Sequence, residues 1–289
     1  MGYLQLGRVL GESAIIGGDD YAPDDVVKSA GRVFRILELL DIIGREAVVS
    51  EISEVLNVPQ SSTSMLLRSM EHLGYLAYNP TTRAYRPTAR VALLGRSVAA
   101  PLVGDGLLVR LVERLNARSG LLVAVSARNQ TDFQYIYVVQ GKMPGRSFVV
   151  NGLKAPLTYS ASGLVLLGQM ESAEIKRIAL RINVESDGRY RVPSISGLIE
   201  RVEQVRKDGY ALSLHSDSPT GTLAMILPRI GGADQLSIGI GASTKVLAAR
   251  YQDLLEMMRE EIVHFAELGS HLASDARLPV TRRDHAGSA

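Results

Sequence analysis

Hydrophobic positions recur at helical spacing through the first third of the chain and give way to strand-like runs beyond it. From Ser29 to Ile43, the residues Val33, Ile36, Leu37, Leu40 and Ile43 mark one face of a helix that Gly44 ends. The stretch VVSEISEVLNVPQSSTSMLLRSMEHLGYLAYNPTTRAYR, Val48 to Arg86, then reads as two short helices and a hairpin. Ser50 is placed to cap the first helix, and Glu51 falls in its first turn, where the dipole favours a carboxylate. Ile52, Val55 and Leu56 supply its apolar stripe. Pro59 has no amide to donate and biases Val58 away from helical angles, so the helix breaks at Asn57. The next helix is predicted over Gln60 to Leu73, with Gly74 as its C′ residue.

That second helix has two faces. Thr63, Leu66, Leu67 and Met70 fall on the side that packs on the preceding helix. Ser61, Ser64, Met65 and Arg68 recur at i, i+3, i+4 and i+7 and form the opposite stripe, short, polar and closed by an arginine. Such a face can enter a major groove and touch base edges and phosphates. Tyr75 to Tyr78 and Ala84 to Arg86 are β-leaning runs around the turn-prone Asn79-Pro80-Thr81-Thr82-Arg83. Arg83 is expected at the hairpin tip and Arg86 on the return strand, both within reach of a phosphate backbone. Between Asn57 and Arg90 the charges are Arg68, Arg83, Arg86 and Arg90 against Glu71 alone. The pattern is that of a winged helix-turn-helix. Lys28 and Arg32, near the start of the bracing helix, can touch phosphates, although a solvated helix start explains them equally well.

Beyond the wing, Val91 to Gly104 is apolar and small and reads as a linker helix stopping before Pro101. Leu107, Leu108, Leu111, Val112 and Leu115 mark an amphipathic helix that ends at Gly120. Strands follow over 121–127 and 133–140, joined by Asn129-Gln130-Thr131-Asp132, and a loop with a further strand occupies 141–154. Ser160-Ala161-Ser162-Gly163 opens a helix on small residues. Either they leave room for an anion near free amides, or they allow tight packing of helix on sheet. A helix carrying Leu198, Val202 and Val205 stops at Gly209; strands follow over 210–214, 222–227 and 236–241, and a closing helix over 245–272. The second half is therefore an antiparallel sheet with helices on it, of a size that holds a small molecule. The expected organisation is a flexible leader over 1–25 and a winged helix-turn-helix over 26–90. A linker helix at 91–105, an effector-binding domain at 106–274 and a flexible tail at 275–289 follow.

At 289 residues the chain is long enough for two cores, and 46% hydrophobic against 21% charged residues is a globular balance. A net charge of +2 is too small to argue nucleic-acid binding, so the argument rests on where the arginines stand. The absence of cysteine excludes disulfides and thiolate chemistry and suits the cytoplasm, the expected location. No apolar run reaches the ~18 residues of a membrane span, and the N-terminus lacks the make-up of a signal peptide.

Enzyme motifs are weak. His215-Ser216-Asp217 holds the residue types of a hydrolase triad, but sequence neighbours cannot converge as a triad must. Glu261 and His264 have the E-x-x-H spacing of di-iron bundles without a second copy, and a solvated helix face explains them better. Gly239-Ile240-Gly241 lacks the third glycine of a dinucleotide fingerprint and reads as a close-packed strand. The tyrosines are scattered and do not form a base-stacking platform. The expectation is a non-enzyme with no cofactor and no metal.

Four stretches in order, VKSAGRVFRILELL, VPQSSTSMLLRSMEHLGYL with its wing, PLTYSASGLVLL, and VRKDGYALS through GTLAMILP to LSIGIGAS, resemble the IclR family of bacterial transcription regulators. The resemblance spans about Val26 to Leu268. It implies an α+β chain, a winged helix-turn-helix followed by a GAF/PAS-like antiparallel-sheet effector domain. It also implies a homodimer or dimer of dimers on a palindromic double-stranded DNA operator, and a small organic or aromatic acid as effector. The expected DNA contacts are Lys28, Arg32, Gln60, Ser61, Ser62, Ser64, Met65, Arg68, Arg83 and Arg86. The effector contacts are Ala161, Ser162, Ser213, His215, Ala224, Ser237 and Gly239. Two positions depart from the family. Met65 stands where similar proteins commonly carry arginine, and a methionine there can meet a thymine methyl. Ala224 and Gly239 are less polar than in relatives that bind small keto acids, which points to a larger, partly apolar or aromatic ligand. The expected function is a DNA-binding repressor with effector-modulated operator affinity. The alternative is a ligand-binding or enzymatic α+β domain whose N-terminal module dimerises without reading DNA.

Overall fold

A computed structural model describes residues 27–94, 106–142, 149, 151–185, 188, 190–214, 219–230 and 234–275. The residues up to Leu94 form one compact unit, and those from Gly106 on, Val149 aside, form a second. The leader, most of the linker stretch, His215 and the tail beyond Asp275 lie outside the described residues.

The first unit holds α1 (Lys28–Ile43), β1 (Ala47–Val48), α2 (Val49–Leu56), α3 (Gln60–His72), β2 (Leu76–Asn79), β3 (Ala84–Pro87) and α4 (Ala89–Leu93). α1 ends at Gly44 in the left-handed conformation, as a C′ glycine should. Its core face is Ile36, Leu39 and Leu40, so the buried stripe includes Leu39, which the periodicity above leaves out. These side chains pack with Ile52, Leu56, Leu67, Met70, Leu76 and Tyr85 in one apolar cluster.

Ser50 does not cap α2. Ala47 and Val48 pair with Tyr85 and Ala84, adding a third antiparallel strand to the wing in the order β1-β3-β2. The chain turns into helix directly after that pairing, so Val48 takes the N-cap position and Ser50 falls inside the first turn. Glu51 does sit in that turn, and Arg45 holds it with two hydrogen bonds, Nη2 to Oε1 at 2.6 Å and Nη1 to Oε2 at 3.2 Å.

The second unit runs α5 (Leu107–Ser119), β4 (Leu122–Asn129), β5 (Asp132–Val139), β6 (Lys154–Pro156), α6 (Ala161–Leu167), α7 (Ser172–Glu185), α8 (Ile195–Asp208), β7 (Tyr210–Leu214), β8 (Thr220–Ile226), β9 (Leu236–Ser243) and α9 (Thr244–Asp275). The strands form one antiparallel sheet in the order β6-β5-β4-β9-β8-β7. α7 is absent from the reading above, although Ile175, Ile178, Ala179 and Ile182 stand at i, i+3, i+4 and i+7 and are buried.

Alternation along the strands builds two cores. Val123, Val125, Leu223, Ile238 and Ile240 pack with α5 and α9. Phe133, Ala211 and Ala224 pack with α6, α7 and α8. A register shift after Val125 lets Tyr135 and Tyr137 serve opposite sides, since Ser126 pairs with Tyr135 while Val125 pairs with Tyr137. The fold class is α+β, as the pattern predicts.

Candidate functional site

The recognition helix is α3. Thr63, Leu67 and Met70 are buried, which anchors the helix and turns the opposite stripe outward. Ser61 and Arg68 are exposed, Met65 is 68% exposed, and Ser64 is half-buried on the same side. Gln60 is exposed at the first helical position, and Ser62 is half-buried beside it. On α1, Lys28 is exposed and Arg32 half-buried.

Two arginines of this unit tie helix to wing. Arg68 lies close to the hydroxyl of Tyr85 on β3; burial raises that hydroxyl's pKa, Glu71 and Tyr78 add to the rise, and Arg68 opposes it. Arg90 donates from Nη1 to the Leu73 carbonyl at 2.9 Å and lies 4.7 Å from the centre of the Tyr75 ring. Thr88 Oγ1 donates to the Gly74 carbonyl at 2.7 Å. Arg90 therefore closes the carbonyl end of α3 and is not simply one more free charge on this face.

At the wing tip, Asn79 Oδ1 accepts from the Thr81 amide at 3.0 Å, the Asx geometry expected of this turn. Arg83 has φ +55°, a left-handed backbone that a non-glycine residue adopts at a cost of about 1–2 kcal/mol. Arg83 and Arg86 are both exposed.

In the second unit, Ser213, Ala224, Ser237 and Gly239 come from three neighbouring strands and point to the side that α6 covers. Ala224 pairs with Gly239, Ser213 with Thr222, and Ser237 with Ser126. Ala161 and Ser162 open α6 and are buried against this face. A Cβ built on Gly239 would fall 2.9 Å from Ser162 Oγ, and one on Gly163 would run into the Leu157 carbonyl. Close packing accounts for the small residues here. Six of the seven predicted effector positions are thus brought together; His215, with Ser216 and Asp217, lies outside the described residues.

The face also holds groups that local pattern does not reveal. Ser126 and Ser160 are buried, and the Oγ of each lacks a hydrogen-bond partner. Tyr135 pairs across the strands with Ser126; burial pushes its hydroxyl up to about 12, and Tyr159 adds to the shift. Ser126 becomes visible only once the β4–β9 register sets it opposite Ser237.

At the β7 edge opens a cleft of about 610 Å³, lined in part by Tyr159, Tyr190, Arg191, Ser194, Arg201 and Ser213. Tyr159 and Tyr190 meet edge to face at 5.0 Å. Sequence reasoning missed both arginines, which no motif marks.

Glu261 is not on a solvated face. It is 3% exposed and paired with Arg114 Nε at 2.9 Å and Arg118 Nη1 at 2.7 Å, which fastens α9 to α5. Among the described residues no cluster could hold a metal ion, and no helix is long and apolar enough to cross a membrane.

A helix-turn-helix with a wing, joined in one chain to an antiparallel sheet covered by helices on both faces, is the build of a two-domain transcription regulator. Family models agree for both parts: residues 29–80 match the IclR helix-turn-helix domain, and residues 108–267 match the bacterial transcriptional regulator IclR C-terminal domain. The chain belongs to the IclR family of transcriptional regulators, with a helix-turn-helix domain and an effector-binding domain.

Among curated relatives, it is 22% identical over 238 residues to the HTH-type transcriptional regulator XynR of Escherichia coli, covering 82% of this chain and 93% of that one. Among solved structures, an IclR homologue from Microbacterium hydrocarbonoxydans complexed with 4-hydroxybenzoate aligns with TM-score 0.58 at 16% identity, covering 84% and 99% of the two chains. The Thermotoga maritima IclR aligns with TM-score 0.55 at 18% identity, covering 85% and 98%. The relatives are named as regulators, not as enzymes.

Proposed function

We propose that this protein is a dimeric repressor that binds a palindromic DNA operator and changes its affinity when a small organic or aromatic acid enters the second unit. The observation that carries the reading is the exposed stripe of α3, Ser61, Met65 and Arg68, held outward by the buried Thr63, Leu67 and Met70. Ser61, Ser64, Met65 and Arg68 read the major groove, with Gln60 and Ser62 at the helix start. Arg83, Arg86, Lys28 and Arg32 hold phosphates. Residues 26–90 form the DNA-binding domain, 91–105 the linker and 106–274 the effector domain.

The effector lies against the covered face of the sheet, at Ala161, Ser162, Ser213, Ala224, Ser237 and Gly239, with His215 nearby in sequence. Support for an aromatic acid comes from the 4-hydroxybenzoate held by the Microbacterium relative. The acid acts through the difference in its affinity for the operator-bound and free arrangements.

Fluorescence anisotropy with the DNA upstream of the protein's own gene, against a scrambled fragment, tests this at two salt concentrations. Much weaker binding to the scrambled fragment, with curves shifted by an aromatic acid, is the expected result. Equal binding to both fragments that salt abolishes would leave only backbone attraction and overturn the operator reading.

A further inference from the structure

The cleft at the β7 edge is charged in one sense. Its described lining contains Arg191 and Arg201 and no carboxylate. Other arginines of the second unit are already committed: Arg128 pairs with Glu174, Arg181 with Glu185, and Arg206 with Glu203 while it also donates to the Gly168 and Met170 carbonyls. Neither cleft arginine has such a pairing among the described residues. Two guanidiniums facing one hollow without a counter-charge repel each other, and a bound carboxylate removes that repulsion while accepting paired hydrogen bonds.

The cleft also has an apolar wall and a route inward. Tyr159 and Tyr190 present ring surface, and Ser213 belongs both to this cleft and to the sheet face that α6 covers. By contrast, the described positions of that face offer hydroxyls and small side chains, with no cation. An acid lying wholly on the covered face would bury its charge against neutral groups, at a desolvation cost that the half-open cleft avoids.

We propose that Arg191 and Arg201 hold the carboxylate of the effector in this cleft, with the ligand's ring passing the two tyrosines toward Ser213. The assignment rests on the reading of the second unit as effector-binding. It makes the two arginines specificity-determining residues for acids over their uncharged analogues.

The test is isothermal titration of the full-length chain with benzoate, 4-hydroxybenzoate and phenylacetate, and with the corresponding amides. Wild type should prefer the acids. Arg191→Met combined with Arg201→Met should weaken acid binding by about tenfold or more and leave amide binding unchanged. Arg181→Met, which removes an equal charge outside the cleft, should keep wild-type affinity. A double variant that binds the acids as tightly as wild type overturns the arginine assignment while the effector reading stands. A wild-type chain that binds none of the acids overturns both.

Discussion

Ser162 on α6 and Gly239 on β9 meet so closely that a Cβ at Gly239 would lie 2.9 Å from Ser162 Oγ and 3.1 Å from Thr222 Cγ2. The two residues are 77 positions apart in the chain, and their contact sets how tightly helix and sheet close over the candidate effector face. Gly239→Ala should therefore cost about 1–3 kcal/mol through overpacking. Adding Ser162→Ala, which removes the oxygen, should restore part of that loss. A double-mutant cycle in chemical denaturation measures the coupling; strict additivity would mean that the two side chains do not interact.

Arg68 and Arg83 should fail in different ways. Arg68→Ala should flatten the difference between operator and scrambled DNA, because the side chain stands on the exposed stripe of α3 assigned to the groove. Arg83→Ala should weaken both DNAs alike and lower the slope of affinity against salt by about one. Tyr85→Phe removes the hydroxyl that Arg68 lies beside and should reproduce a milder form of the Arg68 effect. Anisotropy at several salt concentrations reads all three. Equal, sequence-independent losses for Arg68→Ala and Arg83→Ala would sink the groove assignment.

Arg83→Gly separates folding from binding at the wing tip. Glycine adopts the φ of +55° without the penalty that arginine accepts, so the variant should melt no lower than wild type while losing the same DNA affinity as Arg83→Ala. A thermal melt beside the anisotropy curve checks both halves.

Tyr135 links stability to alkaline pH. Its folded pKa of about 12 lies above the usual tyrosine value of about 10, so the folded state keeps the proton that the unfolded chain gives up. The resulting stabilisation is fully present below pH 10 and is lost as pH rises toward 12, amounting to at most about 2–3 kcal/mol. Tyr135→Phe should flatten the fall in melting temperature over that window. An unchanged slope would show that Tyr135 does not titrate there.

Glu261 is the buried anchor between α5 and α9. Glu261→Gln leaves Arg114 and Arg118 facing a neutral amide and should lower the melting temperature of the second unit by a few degrees, without altering DNA preference. Because both arginines are about half exposed, water compensates part of the loss. A Glu261→Gln protein that melts like wild type would remove this pair from the account of stability.

Much of the first unit was legible because its information is local. The stop at Pro59, the two faces of α3 and the turn at Asn79 each follow from residues within one or two turns of chain, where hydrogen-bond and side-chain geometry repeat with fixed periods. The same locality explains the failure at Ser50: a strand pair with β3, contributed from 36 and 38 residues downstream, moved the helix start. Leu39 was lost to periodicity for a related reason, since two directions of packing on α1 widen its buried face. In the second unit the sequence marked strands and small-residue segments, but only sheet register decided that Ser126, Ser213, Ala224, Ser237 and Gly239 share one face. A strand's side chains alternate, so a shift of one residue would have sent them to the other core. Arg191, Arg201 and Glu261 carry no pattern at all; whether each is solvated, buried or facing a cleft depends on which distant elements pack beside it.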